Sequence, residues 1–134
     1  QDPNRVIPIT IMKSIYDEKF DCSKGTQLRD FLHIDDLVLA ITKCLRSDKS
    51  IGQVINLGSG KPIKIKKVIQ KICNIIKLGK PQFGKIKYRK DEIMTLYPKI
   101  NKAKRLLNWK PKITITEGIK KIINFYKNSC LKKK

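Results

Sequence analysis

At 134 residues and 40% hydrophobic, the chain is long enough for one domain with a modest core and too apolar for a disordered tail. No apolar run approaches the roughly 18 residues that a membrane-spanning helix needs, and Gln1-Asp2-Pro3-Asn4-Arg5 has neither the basic start nor the apolar stretch of a signal peptide. The formal charge of +20, from 31 Lys and Arg against 11 Asp and Glu, raises a nucleic-acid partner, but most of the excess is lysine spread over the whole length, and Tyr16, Phe20, Phe83, Tyr88 and Trp109 do not interleave with basic residues as a stacking platform would.

In chain order, Val6, Ile7, Ile9, Ile11, Met12 and Ile15 predict a short helix after Pro8, with Tyr16 near its end. Asp21 to Lys24 leads to a turn at Gly25, and Phe31, Leu32 and Ile34 predict a short strand. Asp35 is the expected N-cap of a helix running to about Arg46, with Leu37, Val38, Ile41, Cys44 and Leu45 at helical spacing. After Gly52, the apolar density of Gln53-Val54-Ile55-Asn56-Leu57 predicts a short buried strand, closed by the turn Gly58-Ser59-Gly60-Lys61-Pro62. A further helix is expected from about Ile65 to Lys77, poorly capped because Lys64 stands at its start, followed by a loop from Gly79 to Gly84. Lys85-Ile86-Lys87-Tyr88 alternates like an edge strand, and Asn101 is the expected cap of a short helix, Lys102 to Leu107. Thr114-Ile115-Thr116-Glu117 is a capping box, opening a helix that carries Ile115, Ile119, Ile122, Ile123 and Tyr126. The basic tail, Leu131 to Lys134, is expected to fray.

These elements give an α/β class with several helices and few short strands. Domain boundaries are expected at 1–130 for the folded part and 131–134 for the tail. Cys22, Cys44, Cys73 and Cys130 form no CxxC pair and the single His33 cannot complete a zinc site; Cys44 and Cys73 read as small core residues. With no signal peptide, a cytoplasmic location is expected. Because the chain lacks an initiator methionine and opens on a loop-like stretch, it is expected to come from the interior of a longer protein.

Catalytic groups are scarce. No tyrosine has a lysine four residues on, and Gly58-Ser59-Gly60 lacks the third glycine of a dinucleotide loop. What remains are candidate binding groups. Arg29, between the Gly25 turn and an apolar strand, could meet a diphosphate bidentately or pair with Asp30 or Asp36. Asn56 could donate to a phosphate oxygen or cap its own turn, while Arg89 and Glu92 could be ligands or solvated surface charges.

Four ordered blocks extend this reading: Arg5-Val6-Ile7-Pro8, Gly25 to Ala40, Val54-Ile55-Asn56-Leu57-Gly58-Ser59-Gly60, and Tyr88 through Tyr126 with Asn101-Lys102-Ala103-Lys104-Arg105-Leu106-Leu107-Asn108-Trp109-Lys110-Pro111 inside it. Together they resemble the C-terminal, substrate-binding portion of the extended, Rossmann-type short-chain dehydrogenase/reductases, the NAD-dependent nucleotide-sugar epimerases and dehydratases. The resemblance implies a UDP-, TDP-, CDP- or GDP-sugar as ligand, NAD or NADP as cofactor of the intact enzyme, and a homodimer. It assigns Arg29 and Arg89 to the diphosphate, Asn56 to the same phosphates, Glu92 to the nucleotide, Arg5 to the vicinity of the base, and Phe20 and Cys22 to the base-pocket wall. Cys22 stands where many relatives carry an aromatic residue, with Phe20 the candidate substitute; Asp91 replaces a frequent glycine and Lys64 a usual Ser or Thr. The family's glycine-rich NAD loop and catalytic Tyr-x-x-x-Lys are not found in these residues, so the chain is expected to be inactive alone. The rival reading is a free-standing basic module that binds nucleic acid or a partner protein.

Overall fold

The computed structural model describes residue 2 and residues 4–131, so the expectation of a fraying tail at 131–134 lies largely outside the described residues. In chain order the elements are α1 (Val6–Ile15), β1 (Lys19–Cys22), β2 (Leu28–Arg29), α2 (Ile34–Leu45), a 3-10 turn (Asp48–Ser50), β3 (Ile63–Lys64), α3 (Ile65–Ile76), β4 (Lys80–Phe83), β5 (Thr95–Leu96), α4 (Asn101–Leu107) and α5 (Ile115–Leu131). The expected class, helices with a few short strands, is what forms. The chain divides into two compact units.

The first unit comprises the chain up to Gln27, Ile63–Met94 and the residues from Ile119 on. Its core is aliphatic and helical: α1 packs on α3, burying Ile7 and Ile11 from one and Val68, Ile69, Ile72 and Ile76 from the other. Helix α1 begins before Pro8, not after it. Proline is tolerated there because the first-turn amides have no intrahelical acceptor. At the other end of this helix pair the Ser14 hydroxyl and Cys73 thiol lie 3.5 Å apart. Beside them, Asp17 accepts from the Gly79 amide at 3.0 Å and pairs with the Lys80 ammonium. Lys19–Cys22, between the first expected helix and the Gly25 turn, and Lys80–Phe83, expected as loop, form the parallel pair β1–β4, with Lys19 opposite Lys80 and Cys22 opposite Phe83. Conversely, the expected edge strand at Lys85–Tyr88 is irregular. Helix α3 has the expected extent and, as expected, no side-chain cap at Lys64; Lys77 closes it in the left-handed region at φ 64°.

The second unit comprises Leu28–Pro62 and Thr95–Gly118. Ala40, Ala103, Leu107 and Trp109 form its buried centre, with Leu32, Cys44, Ile55, Leu57 and Leu106 packed against them. The strand is β2, three residues earlier than the predicted run at Phe31–Ile34, and it pairs in parallel with β5, which has no signature in the sequence. His33, not Asp35, is the N-cap of α2: its Nδ1 accepts from the Asp35 amide at 3.2 Å, and Asp35 sits in the first turn, where its negative charge faces the positive end of the helix dipole. Asn101 is likewise the first helical residue of α4, not its cap. The capping box forms as expected, with the Thr114 amide donating to Glu117 at 2.8 Å and the Glu117 amide to the Thr114 hydroxyl at 3.3 Å.

Gln53–Leu57 forms neither strand nor helix. Ile55 and Leu57 turn into the core, Val54 and Asn56 face outward, and Val54 is 80% exposed. The apolar density of the sequence reflects this one-sided packing. A strand also needs a ladder, and no backbone hydrogen bond is made by residues 54–57 among the described residues. Helix α2 similarly shows Ile34, Val38, Ile41 and Leu45 to solvent along one face.

Candidate functional site

In the second unit, Arg29, Asp30, Leu32, Asn56, Leu57, Gly58, Leu96, Tyr97 and Pro98 line a cavity of about 580 Å³, large enough for a small organic ligand. Three segments build it. Strand β2 carries Arg29, opposite Leu96 of β5 in the parallel register, so the guanidinium rises from paired backbone. Its Nη1 also donates to the Leu28 carbonyl at 2.9 Å, which limits its rotamers. The segment before Gly58 contributes Asn56, exposed, with its amide available to a ligand. The end of β5 adds Tyr97, half exposed, and Pro98.

The two carboxylates that the sequence offers to Arg29 are both engaged by backbone amides. Asp30 Oδ1 accepts from the Ser59 amide at 2.7 Å, and its Oδ2 accepts from the Gly60 amide at 2.7 Å and the Ser59 hydroxyl at 3.0 Å. Asp36, buried, accepts from the Lys112 amide at 3.1 Å and the Ile113 amide at 2.9 Å. Gly58 is needed where it stands: a Cβ there would overlap the Pro98 ring and come within 3.2 Å of Asp30 Oδ1. With Leu32, Leu57, Leu96 and Pro98 as apolar neighbours, the open cavity brings a cation and a neutral donor to one surface.

The other predicted residues lie in the first unit. Arg5 is exposed at the N-cap of α1. Phe20 is half-buried in β1, opposite Pro81. Cys22 is buried, its thiol donating to the Phe20 carbonyl at 3.8 Å, and burial pushes its pKa up to about 11, with the neighbouring Cys73 and Asp21 adding to the rise. Arg89 is exposed, and its carbonyl accepts from the amide of the half-buried Glu92 at 3.2 Å. The preceding Tyr88 reaches back to the Gly25 turn, its hydroxyl 2.9 Å from the Thr26 amide and 2.8 Å from the Thr26 hydroxyl. Desolvation would raise its pKa, but hydrogen bonds from Thr26 and Ser23 and the charge of Lys24 outweigh it and lower the phenol below its ordinary value. Gly25 is itself fixed at φ +66°, and a Cβ would press 2.8 Å from the Lys66 amide nitrogen, which donates to the Gly25 carbonyl.

Two lining residues have no clear signal in the sequence. Asp30 reads there only as a partner for Arg29, and Tyr97 follows a strand of two residues that leaves no periodic trace. The Gly58-Ser59-Gly60 turn does not fit a dinucleotide's pyrophosphate, since the amides of Ser59 and Gly60 that would cradle it donate to Asp30. Among the described residues no cluster of three or more His, Cys, Asp or Glu could hold a metal ion, and no helix is long and apolar enough to cross a membrane.

Residues 3–122 match the sequence model of the family described as GDP-mannose 4,6 dehydratase. A UDP-glucuronate 4-epimerase of Thermodesulfobacterium geofontis is 38% identical over 123 residues, covering 88% of this chain and 36% of that protein. A CDP-abequose synthase of Salmonella muenchen is 33% identical over 126 residues, covering 90% and 41%. Among solved structures, UDP-glucuronic acid 4-epimerase of Bacillus cereus, in complex with UDP-glucuronic acid and NAD, superposes with TM-score 0.86 at 27% identity, over 96% of this chain and 41% of that one. UDP-glucose 4-epimerase of Thermotoga maritima, with UDP-glucose, gives TM-score 0.88 at 23% identity, over 97% and 42%. The chain thus spans well under half the length of the proteins it matches, and the matched stretch is their C-terminal part.

Proposed function

This chain belongs to the GDP-mannose 4,6-dehydratase family, and we propose on that premise that it binds the diphosphate of a nucleotide sugar through Arg29 and Asn56. The observation that carries the proposal is the joint placement of these two side chains, with apolar neighbours, in one cavity. A diphosphate offers paired oxygens to the planar guanidinium fork, and each charge-assisted bond is worth about 1.5–3 kcal/mol. The net charge of +20 adds long-range attraction for such a ligand. Binding of this kind fixes the remote end of a substrate so that the sugar is presented in one orientation. For Arg5, Phe20, Cys22, Arg89 and Glu92 the assignment to the nucleotide rests on family resemblance alone.

The longer protein of this reading is an NAD-dependent nucleotide-sugar epimerase or dehydratase in carbohydrate biosynthesis. NAD, or NADP, would supply the hydride acceptor there, and the Gly58–Gly60 turn is not its seat. These 134 residues alone are proposed to bind without turnover.

Isothermal titration with UDP, dTDP, CDP and GDP and their sugars tests this. Saturable binding to the native chain is expected, weakened about 10- to 100-fold by Arg29→Ala, the loss of one charge-assisted bond. Folded protein that ignores every one of these ligands but binds RNA with a steep salt dependence would establish the basic-module reading instead.

A further inference from the structure

The approach to the cavity contains an acid, Asp30, directly beside the arginine proposed to take the diphosphate. A carboxylate next to an anion site weakens it by repulsion unless its charge is taken up elsewhere. Here three donors take it up, the Ser59 and Gly60 amides at 2.7 Å each and the Ser59 hydroxyl at 3.0 Å.

That tie matters because of what precedes it. Gln53 makes a backbone bond to Ser50, but residues 54–58 make none among the described residues. Ile55 and Leu57 are held by packing, which fixes them toward the core without fixing the chain along its length. The next polar anchor is Asp30. Gly58 brings the backbone close to Asp30 and Pro98, and Gly60, at φ +68°, turns it away against Ile100. Asn56 therefore hangs between a packed side and one polar anchor, and that anchor is the residue adjacent to Arg29.

We propose that Asp30 is a positioning residue for anion binding: its carboxylate moors the Ser59–Gly60 turn and thereby holds Asn56 in register with Arg29. This rests on the diphosphate-binding reading above. Two other roles for Asp30 make opposite predictions. If it merely repelled the ligand, removing its charge would tighten binding. If it served stability alone, its loss would lower the melting temperature and leave the affinity of the folded protein unchanged.

The test is a double-mutant cycle on the 134-residue chain, with UDP as probe, measured by titration calorimetry below the melting temperature of each variant. Asp30→Ala is expected to weaken UDP binding about tenfold, close to 1.4 kcal/mol, and Asn56→Ala by a similar factor. Because Asp30 acts through Asn56, the double variant should bind no more than about twofold weaker than either single one. Asp30→Asn, which keeps one acceptor oxygen, should fall between wild type and Asp30→Ala. Amide exchange gives a second readout: protection of Ser59 and Gly60 should be lost in Asp30→Ala while α2 and α4 keep theirs. Unchanged or tighter UDP binding by folded Asp30→Ala overturns the inference, as do fully additive losses. A folded wild-type chain that binds none of UDP, dTDP, CDP and GDP defeats the diphosphate reading itself, a different failure read from a different sample; if another of the four binds and UDP does not, that nucleotide replaces UDP as the probe of the cycle.

Discussion

Arg29 and Asp30 are neighbours in sequence with opposite duties. Both residues line the cavity, but the Asp30 carboxylate is taken up by the amides of Ser59 and Gly60 while the Arg29 guanidinium rises from β2. Cys22 offers a check at the same scale. With its pKa near 11 against an ordinary 9.0, roughly 1% of it is thiolate at pH 9. Iodoacetamide at that pH should modify Cys44 well before Cys22, read by peptide mass spectrometry. The sign of the stability effect follows: the folded state keeps this proton after the unfolded chain has released it, so the contribution is complete below pH 9 and lost as pH rises toward 11. Asp17 behaves in the opposite sense. Its ion pair with Lys80 and its bond from Gly79 lower its pKa below 3.8, so its contribution holds above that pH and fades as acid protonates it. Protection of the Gly79 amide, taken relative to its intrinsic exchange rate, should therefore fall as pH drops below 3.8, and Asp17→Asn should remove that dependence.

At the scale of elements, the helices were legible and the strands were not. Val68, Ile69, Ile72 and Ile76 repeat at a helical period through the twelve residues of α3, long enough for the pattern to declare itself. Strands β2 and β5 have two residues each, too short for any period, and β1–β4 pairs Lys19 and Asp21 with Lys80 and Gln82, residue types that disfavour strands. Gln53–Leu57 failed in the other direction, since its alternation gave a face for the core and could not supply a partner strand. Two elements carry predictions. Asp36 joins α2 to the Lys112–Ile113 backbone, and Asp36→Ala strands those amides, so a loss of about 2–3 kcal/mol is expected in urea unfolding. At α5, Thr114→Ala removes half of the capping box and should cost about 1 kcal/mol by the same measurement.

For the whole molecule, the notable surface is apolar. Ile34, Val38, Ile41 and Leu45 are exposed on one face of α2, and Val54 is exposed on the segment without a ladder. Contiguous patches of this kind promote association, so sedimentation velocity at rising concentration should show self-association that Val38→Lys with Ile41→Lys suppresses while the melting temperature is kept. A monomer at every concentration would contradict this, and the net charge of +20, which opposes self-contact, is the force that would produce it. The sequence by itself determined the family and the helices and singled out Arg29 as a candidate, because ordered motifs, 3.6-residue periods and one arginine in a glycine-to-helix setting are local signals. Only the tertiary structure decided that Asn56 shares a cavity with Arg29, that the carboxylates of Asp30 and Asp36 meet loop amides, and that Val54–Leu57 has no ladder. Those outcomes depend on contacts between residues tens of positions apart, and no local pattern encodes which distant backbone amide a carboxylate will meet.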